Sequence, residues 1–254
     1  MTLITGLRTA DTRIDNEKKM NPSQGSNEWT IGPRRLEVWP SNQRLESADE
    51  SIRATIFRDS GDYHLALIAR LLELEKQKWG DDKPDSRILG GRKVHHLDQW
   101  NIPEADFINA RAKELFCHTL GSATAHIDLS WANVYRKWDY VGPHAHRLSI
   151  ASLVYFVDLG DEDHEDRQSG RLFFADPRLS ICCSEEPGRM TTPFFPKVEP
   201  GTMMIWPSEV VHCVTPYTGE RPRITLAWNI SRRKGELGQS DEFTGVAKTP
   251  TDRA

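Results

Sequence analysis

His144 and His146 stand two positions apart in Gly142-Pro143-His144-Ala145-His146. On an extended strand alternate side chains share a face, so both imidazoles can reach one point. A third histidine closes the segment Pro207-Ser208-Glu209-Val210-Val211-His212. Imidazole is a good ligand for iron, copper, zinc and nickel, and three of them from separate strands can hold one side of an ion. Eleven residues beyond His212 comes Arg223-Ile224-Thr225. By the same period of two, Arg223, Thr225, Ala227 and Asn229 share a strand face, and Ile224, Leu226 and Trp228 take the other. A buried guanidinium requires an anionic partner, and its fork fits a carboxylate at two points. The spacing therefore predicts a metal centre beside a receptor for an acidic small molecule. The bland alternatives are two half-buried histidines satisfied by ordinary hydrogen bonds, and a surface Arg223 paired with Glu220. Arg221, which precedes Pro222 in a turn, is the better candidate for that surface role.

These residues sit in an ordered series. Trp131-Ala132-Asn133-Val134-Tyr135 comes first, then His144-Ala145-His146, then Leu153-Val154-Tyr155-Phe156-Val157-Asp158. Ser169-Gly170-Arg171-Leu172-Phe173-Phe174-Ala175-Asp176-Pro177-Arg178 follows, then Val198-Glu199-Pro200-Gly201-Thr202-Met203-Met204-Ile205-Trp206-Pro207-Ser208. His212 and Arg223-Ile224-Thr225-Leu226-Ala227-Trp228-Asn229 close it. Between residues 130 and 230 the series resembles the Fe(II)/2-oxoglutarate-dependent oxygenases, in the branch that carries H-x-H and a terminal R-I-S-x-x-x-N.

The resemblance implies a double-stranded β-helix that holds Fe(II) through His144, His146 and His212. It implies 2-oxoglutarate as cosubstrate, with its C5 carboxylate at Arg223 and Thr225 and with Tyr155 at the family's tyrosine position. Asn133 and Tyr135 share a face and are expected to line that pocket, with plain packing as the alternative. The implied reaction consumes O2, releases succinate and CO2, and hydroxylates a small-molecule substrate. The chain departs from most members in carrying His146 where they carry Asp or Glu. Asp176 and Glu209 are alternative sources of the missing carboxylate. Three histidines are preferred, and being neutral they leave the full charge of Fe(II) to attract a dianionic cosubstrate. His126-Ile127-Asp128 is a rival H-x-D pair, but a helix is expected before it, and no run ending in Tyr-Phe follows at the right distance.

Two other classes compete. A cupin-type dioxygenase would use three histidines without 2-oxoglutarate. It usually places a glutamate shortly after H-x-H, where this chain has Arg147-Leu148-Ser149-Ile150-Ala151-Ser152. A non-catalytic jelly-roll binding module would have lost some of the histidines or Arg223.

The elements that must position these groups follow from patterning. Residues 1–33 are polar and are expected to form a disordered tail, with Met20 as an alternative start. Residues 34–121 read as a helical part packing on the core. Leu36 to Pro40 suits a short strand. Tyr63, Leu65, Leu67, Ile68, Leu71, Leu72, Leu74 and Trp79 stand among charges over 62–79, a spacing that fits an amphipathic helix. A second helix runs from Pro103, suited to a first turn, to Leu120, with Gly121 just past its end. Residues 122–235 alternate β-rich runs with turn clusters such as Gly142-Pro143, Ser169-Gly170 and Pro200-Gly201, which suggests a sandwich or barrel. The expected fold class is mainly β with N-terminal helices (α+β), its core a jelly roll of cupin-like form. Residues 236–254 read as a polar tail. His95-His96 and Asp98 fall in a loop and are taken as substrate-side or structural. His164 lies in an acidic loop, Asp161 to Asp166, that could cover the barrel mouth. Trp206 and Met203-Met204 read as core.

With 254 residues and a net charge of −4, the chain can bury one large core. Its charge gives no support for a nucleic-acid surface. No apolar run approaches the ~20 residues of a membrane span, and the first residues lack a signal core. Cys117, Cys182, Cys183 and Cys213 show no paired zinc-ligand spacing, which fits reduced thiols in a cytoplasm. A small molecule is the expected partner, and a homodimer is left open.

Overall fold

A computed structural model describes residues 27–48, 51–79, 91–161, 168–174 and 193–237. The strands are β1 (Glu28–Ile31), β2 (Arg34–Glu37), β3 (Glu46–Ser47), β4 (Arg53–Ile56), β5 (Arg92–His95) and β6 (His126–Tyr135). They continue with β7 (Val141–His144), β8 (Ala151–Asp158), β9 (Leu172–Phe174), β10 (Thr202–Pro207), β11 (His212–Val214) and β12 (Arg223–Ser231). Two helices, α1 (Gly61–Trp79) and α2 (Pro103–Leu120), precede β6. The large sheet runs β3-β4-β10-β8-β12-β6-β5 and a small one runs β7-β11-β9. All pairings are antiparallel. This is the jelly roll, with its helices on one side.

Strand parity explains the layering. Odd residues of β8, Leu153, Tyr155 and Val157, pack with Met203, Ile205, Leu226 and Trp228 against the helices. Even residues, Val154 and Phe156, turn inward with Tyr135, Met204 and Trp206 to meet Val141, Leu172, Phe174 and Val214 from the small sheet. The large sheet is thus buried on both faces, so its strands read as continuous apolar runs instead of alternating ones.

Both helices form where the sequence patterns put them, although Leu65 of α1 faces outward and is exposed. α1 buries Tyr63, Leu67 and Leu71, and α2 buries Phe107, Ile108, Ala112, Leu115 and Phe116. Pro103 occupies the first turn of α2, and Gly121 caps its end in the left-handed region at φ 59°, which glycine adopts without steric cost. Trp228 on β12 donates from Nε1 to Asn109 Oδ1 on α2 at 2.8 Å. Arg111, fully buried, forks onto Asp59 at 2.8 and 2.5 Å and lies 4.0 Å from the Phe57 ring. Such pairing is what allows a guanidinium in a core.

Before Gly121 the chain contributes more than helices. β4 pairs with β10 and β5 pairs with β6, which extends the large sheet on both sides. β1 lies within residues read from the sequence as polar tail. It forms a hairpin with β2, and Trp29 packs on Phe107 with ring centroids 6.1 Å apart; apolar anchoring of one residue in two suffices to order it. Among the described residues no helix is long and apolar enough to cross a membrane. Cys117 and Cys213 are free thiols. Asp176, Cys182, Cys183 and His164 lie outside the described residues.

Candidate active site

His144 ends β7 and pairs across the small sheet with His212, the first residue of β11. The strand therefore ends within the pair, at His144. His146 lies just past β7, and its backbone N–H donates to Ser208 O at 2.8 Å, which keeps the segment extended. The ring centroids are 4.2 Å apart for His144 and His212, 5.1 Å for His144 and His146, and 5.2 Å for His146 and His212. Ligand nitrogens of the three all lie within 4.8 Å of one another.

Backbone carbonyls fix the tautomers of two of them. His144 Nδ1 is 2.9 Å from Gly142 O and His212 Nδ1 is 3.0 Å from Val210 O. A carbonyl only accepts, so both Nδ1 atoms carry the proton and both Nε2 atoms keep a lone pair. This carbonyl anchoring is the arrangement that orients metal-bound imidazoles. Burial depresses all three histidines, and nearby positive charge, including that of Lys93, adds to the effect. His146 falls to about 2 and His212 to about 3. They are neutral at physiological pH, as metal ligation requires.

Arg223 opens β12 opposite Tyr135 on β6 and is buried. Its guanidinium carbon lies 5.0 Å from the Tyr135 ring centroid and 5.6 Å from that of Phe156. No acidic side chain pairs with it among the described residues, and Nη1 has no hydrogen-bond partner there. Glu220, its suggested surface partner, pairs instead with Lys137. Arg221 takes the surface role, 3.0 Å from Asp158 and 3.3 Å from Asp161. Arg223 lines one cavity with His144, His146, His212, Tyr135, Asn133 and Thr225.

Thr225 and Asn133 are cross-strand partners, and Asn133 Nδ2 donates to Thr225 Oγ1 at 3.2 Å. The threonine hydroxyl proton is thereby left to point at another acceptor. Burial pushes the Tyr135 phenol up to about 12, so it stays protonated.

Tyr155 is the correction. It pairs with Leu226, which faces the helices, and its hydroxyl is 2.7 Å from both Tyr63 Oη and His64 Nε2. Tyr135 lies beside Arg223 instead. Position in a family pattern suggested Tyr155, whereas strand parity puts it behind the sheet.

The rival pair also resolves. Asp128 Oδ2 accepts from Ser149 at 2.8 Å and Ser231 at 2.5 Å, and His126 pairs with Ser231 at the far end of β12. Glu209 is exposed. His95 lies next to Trp131, ring centroids 6.4 Å apart, and is not among the residues that line the cavity. Trp206, read as core, also stands edge-on to His212 at 4.9 Å. Lys93 and Trp131, not singled out in the sequence, line the cavity too. A four-residue edge strand after a polar loop carries too little periodicity for its inward face, and with it Lys93, to be read from sequence. A groove of about 830 Å³ lies over β3 and β4 and includes none of the histidines. The chemistry is located by the ligand cluster and not by size.

The donor set fits an iron ion, and the unpartnered guanidinium fits the far carboxylate of 2-oxoglutarate. Residues 129–229 match a protein-family model described as "Putative 2OG-Fe(II) oxygenase". A comparison with curated proteins gave no match. Among solved structures, AviO1 from Streptomyces viridochromogenes Tue57 is similar at TM-score 0.53 and 16% identity, over 74% of this chain and 92% of that one. HygX from Streptomyces hygroscopicus, solved with nickel and 2-oxoglutarate bound, is similar at TM-score 0.53 and 10% identity, over 79% and 89%. A prolyl hydroxylase from Trichoplax adhaerens, in complex with a hypoxia inducible factor peptide fragment, gives TM-score 0.51 and 13% identity, over 71% and 84%. At such identities these three speak for the fold. The family match over the barrel core, the jelly roll and the histidine cluster together make this chain similar to the 2-oxoglutarate- and Fe(II)-dependent oxygenases.

Proposed function

We propose that His144, His146 and His212 hold Fe(II), that Arg223 and Thr225 receive the C5 carboxylate of 2-oxoglutarate, and that the enzyme hydroxylates a C–H bond of a small molecule. The observation that carries this reading is Arg223: a buried guanidinium with an unpartnered Nη1, in the same cavity as three neutral imidazoles. A buried cation without a counter-ion is costly, so the site is built for an anion that arrives. Bound there, Fe(II) and 2-oxoglutarate supply the activation of O2 that yields succinate, CO2 and an oxidised product.

The chain's own share is positioning. Gly142 O and Val210 O hold two imidazoles with Nε2 facing the centre. Arg223 gives two-point recognition, and Thr225, already accepting from Asn133, donates its proton to the same carboxylate. Tyr135 flanks the guanidinium and offers a further donor. Val154, Phe156, Val141 and Trp206 wall the cavity and keep water from the reacting atoms. Three neutral ligands leave the metal's charge undiminished, which strengthens attraction for a dianion.

Succinate formation should require Fe(II), 2-oxoglutarate and O2 together. Omitting any one should reduce it to background, and succinate formed equally well without iron would sink the reading. Gly170 supplies a subtler test. It lies at φ 59°, and a Cβ there would sit 2.9 Å from Arg223 Cδ and 3.0 Å from Tyr217 Cδ2. Gly170→Ala should cost about 1–2 kcal/mol of stability for the left-handed backbone. By displacing Arg223 it should also raise the Kd for 2-oxoglutarate about tenfold, equivalent to ~1.4 kcal/mol, with iron content retained. An unchanged Kd would mean that the guanidinium is not gripping the cosubstrate.

A further inference from the structure

The cavity carries more positive charge than iron and one cosubstrate account for. Lys93 on β5 pairs with Asn133 on β6, which pairs with Thr225 on β12. Register and parity thus set Lys93, Asn133 and Thr225 in one row across the large sheet, all on the cavity face. Lys93 lines the same cavity as the three histidines. Its positive charge is felt by each of them. Its ammonium lies 5.7 Å from the centroid of Trp131, whose ring stands 5.5 Å from that of His146. Among the described residues no carboxylate forms an ion pair with Lys93, and none lines the cavity. Burial presses its ammonium toward the neutral form, so an arriving anion would relieve that cost.

Charge accounting gives this a direction. Resting on the reading above, Fe(II) brings two positive charges, and Arg223 and Lys93 one each, against two negative charges on 2-oxoglutarate. One cosubstrate carboxylate belongs at the metal and the other at Arg223. Lys93 stands two strands away from Arg223 and one row along, about 12 Å between Cα positions by strand spacing. It is left with an aromatic neighbour and no anion.

We propose that Lys93, with Trp131 beneath it, is the recognition point for an acidic group on the prime substrate, so that this enzyme takes a small organic anion, carboxylate or phosphate ester. The ammonium acts as a point charge and the indole face supports the substrate's apolar body. Lys93 would fix which end of the substrate faces His146 and therefore which C–H bond is presented.

The test uses the Fe(II) protein saturated with 2-oxoglutarate under anaerobic conditions, and three probes: 3-phenylpropanoate, phenyl phosphate and the neutral 3-phenylpropanamide. Calorimetric titration should find at least one acid bound about tenfold or more tightly than the amide, the contribution expected of a charge-assisted contact. Which acid wins separates carboxylate from phosphate substrates. Lys93→Met should abolish the preference for the acid, and Lys93→Arg should restore much of it. Equal binding of acids and amide, or a preference that survives in Lys93→Met, would overturn the proposal. So would a loss of 2-oxoglutarate affinity in Lys93→Met as large as that in Arg223→Ala, because Lys93 would then serve the cosubstrate. Failure of the parent protein to bind 2-oxoglutarate at all is a separate outcome. It would sink the oxygenase reading, while the acid-against-amide comparison could still be made on the Fe(II) protein alone.

Discussion

Replacing Arg223 with alanine should weaken 2-oxoglutarate binding about a hundredfold or more and leave iron content near that of the parent. Truncating one partner of a buried, hydrogen-bonded charge pair costs about 3–5 kcal/mol, and each ~1.4 kcal/mol is tenfold in affinity. Arg223 is the arginine among the described residues lining the cavity, so the carboxylate has no second guanidinium to turn to there. Arg223→Lys should recover part of the loss, since an ammonium keeps the charge but not the two-point fork. Equilibrium titration of each variant, with iron measured on the same samples, checks both halves. Iron lost in parallel with 2-oxoglutarate would mean that Arg223 supports the fold of the site and not the cosubstrate.

The second large effect falls on His146. If its imidazole is a direct ligand, His146→Ala should weaken Fe(II) binding by more than the ~10–100-fold that follows loss of groups merely supporting a ligand. His146→Asp should keep the metal, because a carboxylate is an acceptable donor at that place. It should also lower 2-oxoglutarate affinity, since the new negative charge offsets one of the metal's two. Competitive chelator titration with Fe(II) measures the first effect and calorimetry the second. An alanine variant that binds iron as tightly as the parent would remove His146 from the ligand set and return attention to Asp176, which lies outside the described residues.

Much of this site is readable without coordinates, and the reasons are local. His144 and His146 share a face through the strand period, and Arg223 and Thr225 do so by the same rule. Antiparallel pairing of His144 with His212 then needs only the jelly-roll order of strands. The two helices were legible because α1 and α2 are long enough for a 3.6-residue period to show. Tyr155 was misread for an instructive reason. Its place in the family pattern was followed, although the parity that puts Leu226 behind the sheet also puts its partner Tyr155 there. Lys93 escaped because β5 has four residues, RKVH, and inward-facing lysine and histidine on a barrel edge look like an exposed loop. β1 was similarly hidden, since two of its four residues face solvent. In each case the missing information was long-range: which strand lies alongside, and what covers the face.

Binding of 2-oxoglutarate by the Fe(II) protein is the most direct consequence of a three-histidine centre beside Arg223. Anaerobic calorimetric titration of 2-oxoglutarate into the iron-loaded protein should give one saturable site per chain, dependent on iron and lost in Arg223→Ala. Absence of saturable binding at concentrations on the order of millimolar, the upper end of ordinary substrate affinities, would contradict it. The histidine cluster would then be better explained as a cupin-type metal centre that works without 2-oxoglutarate.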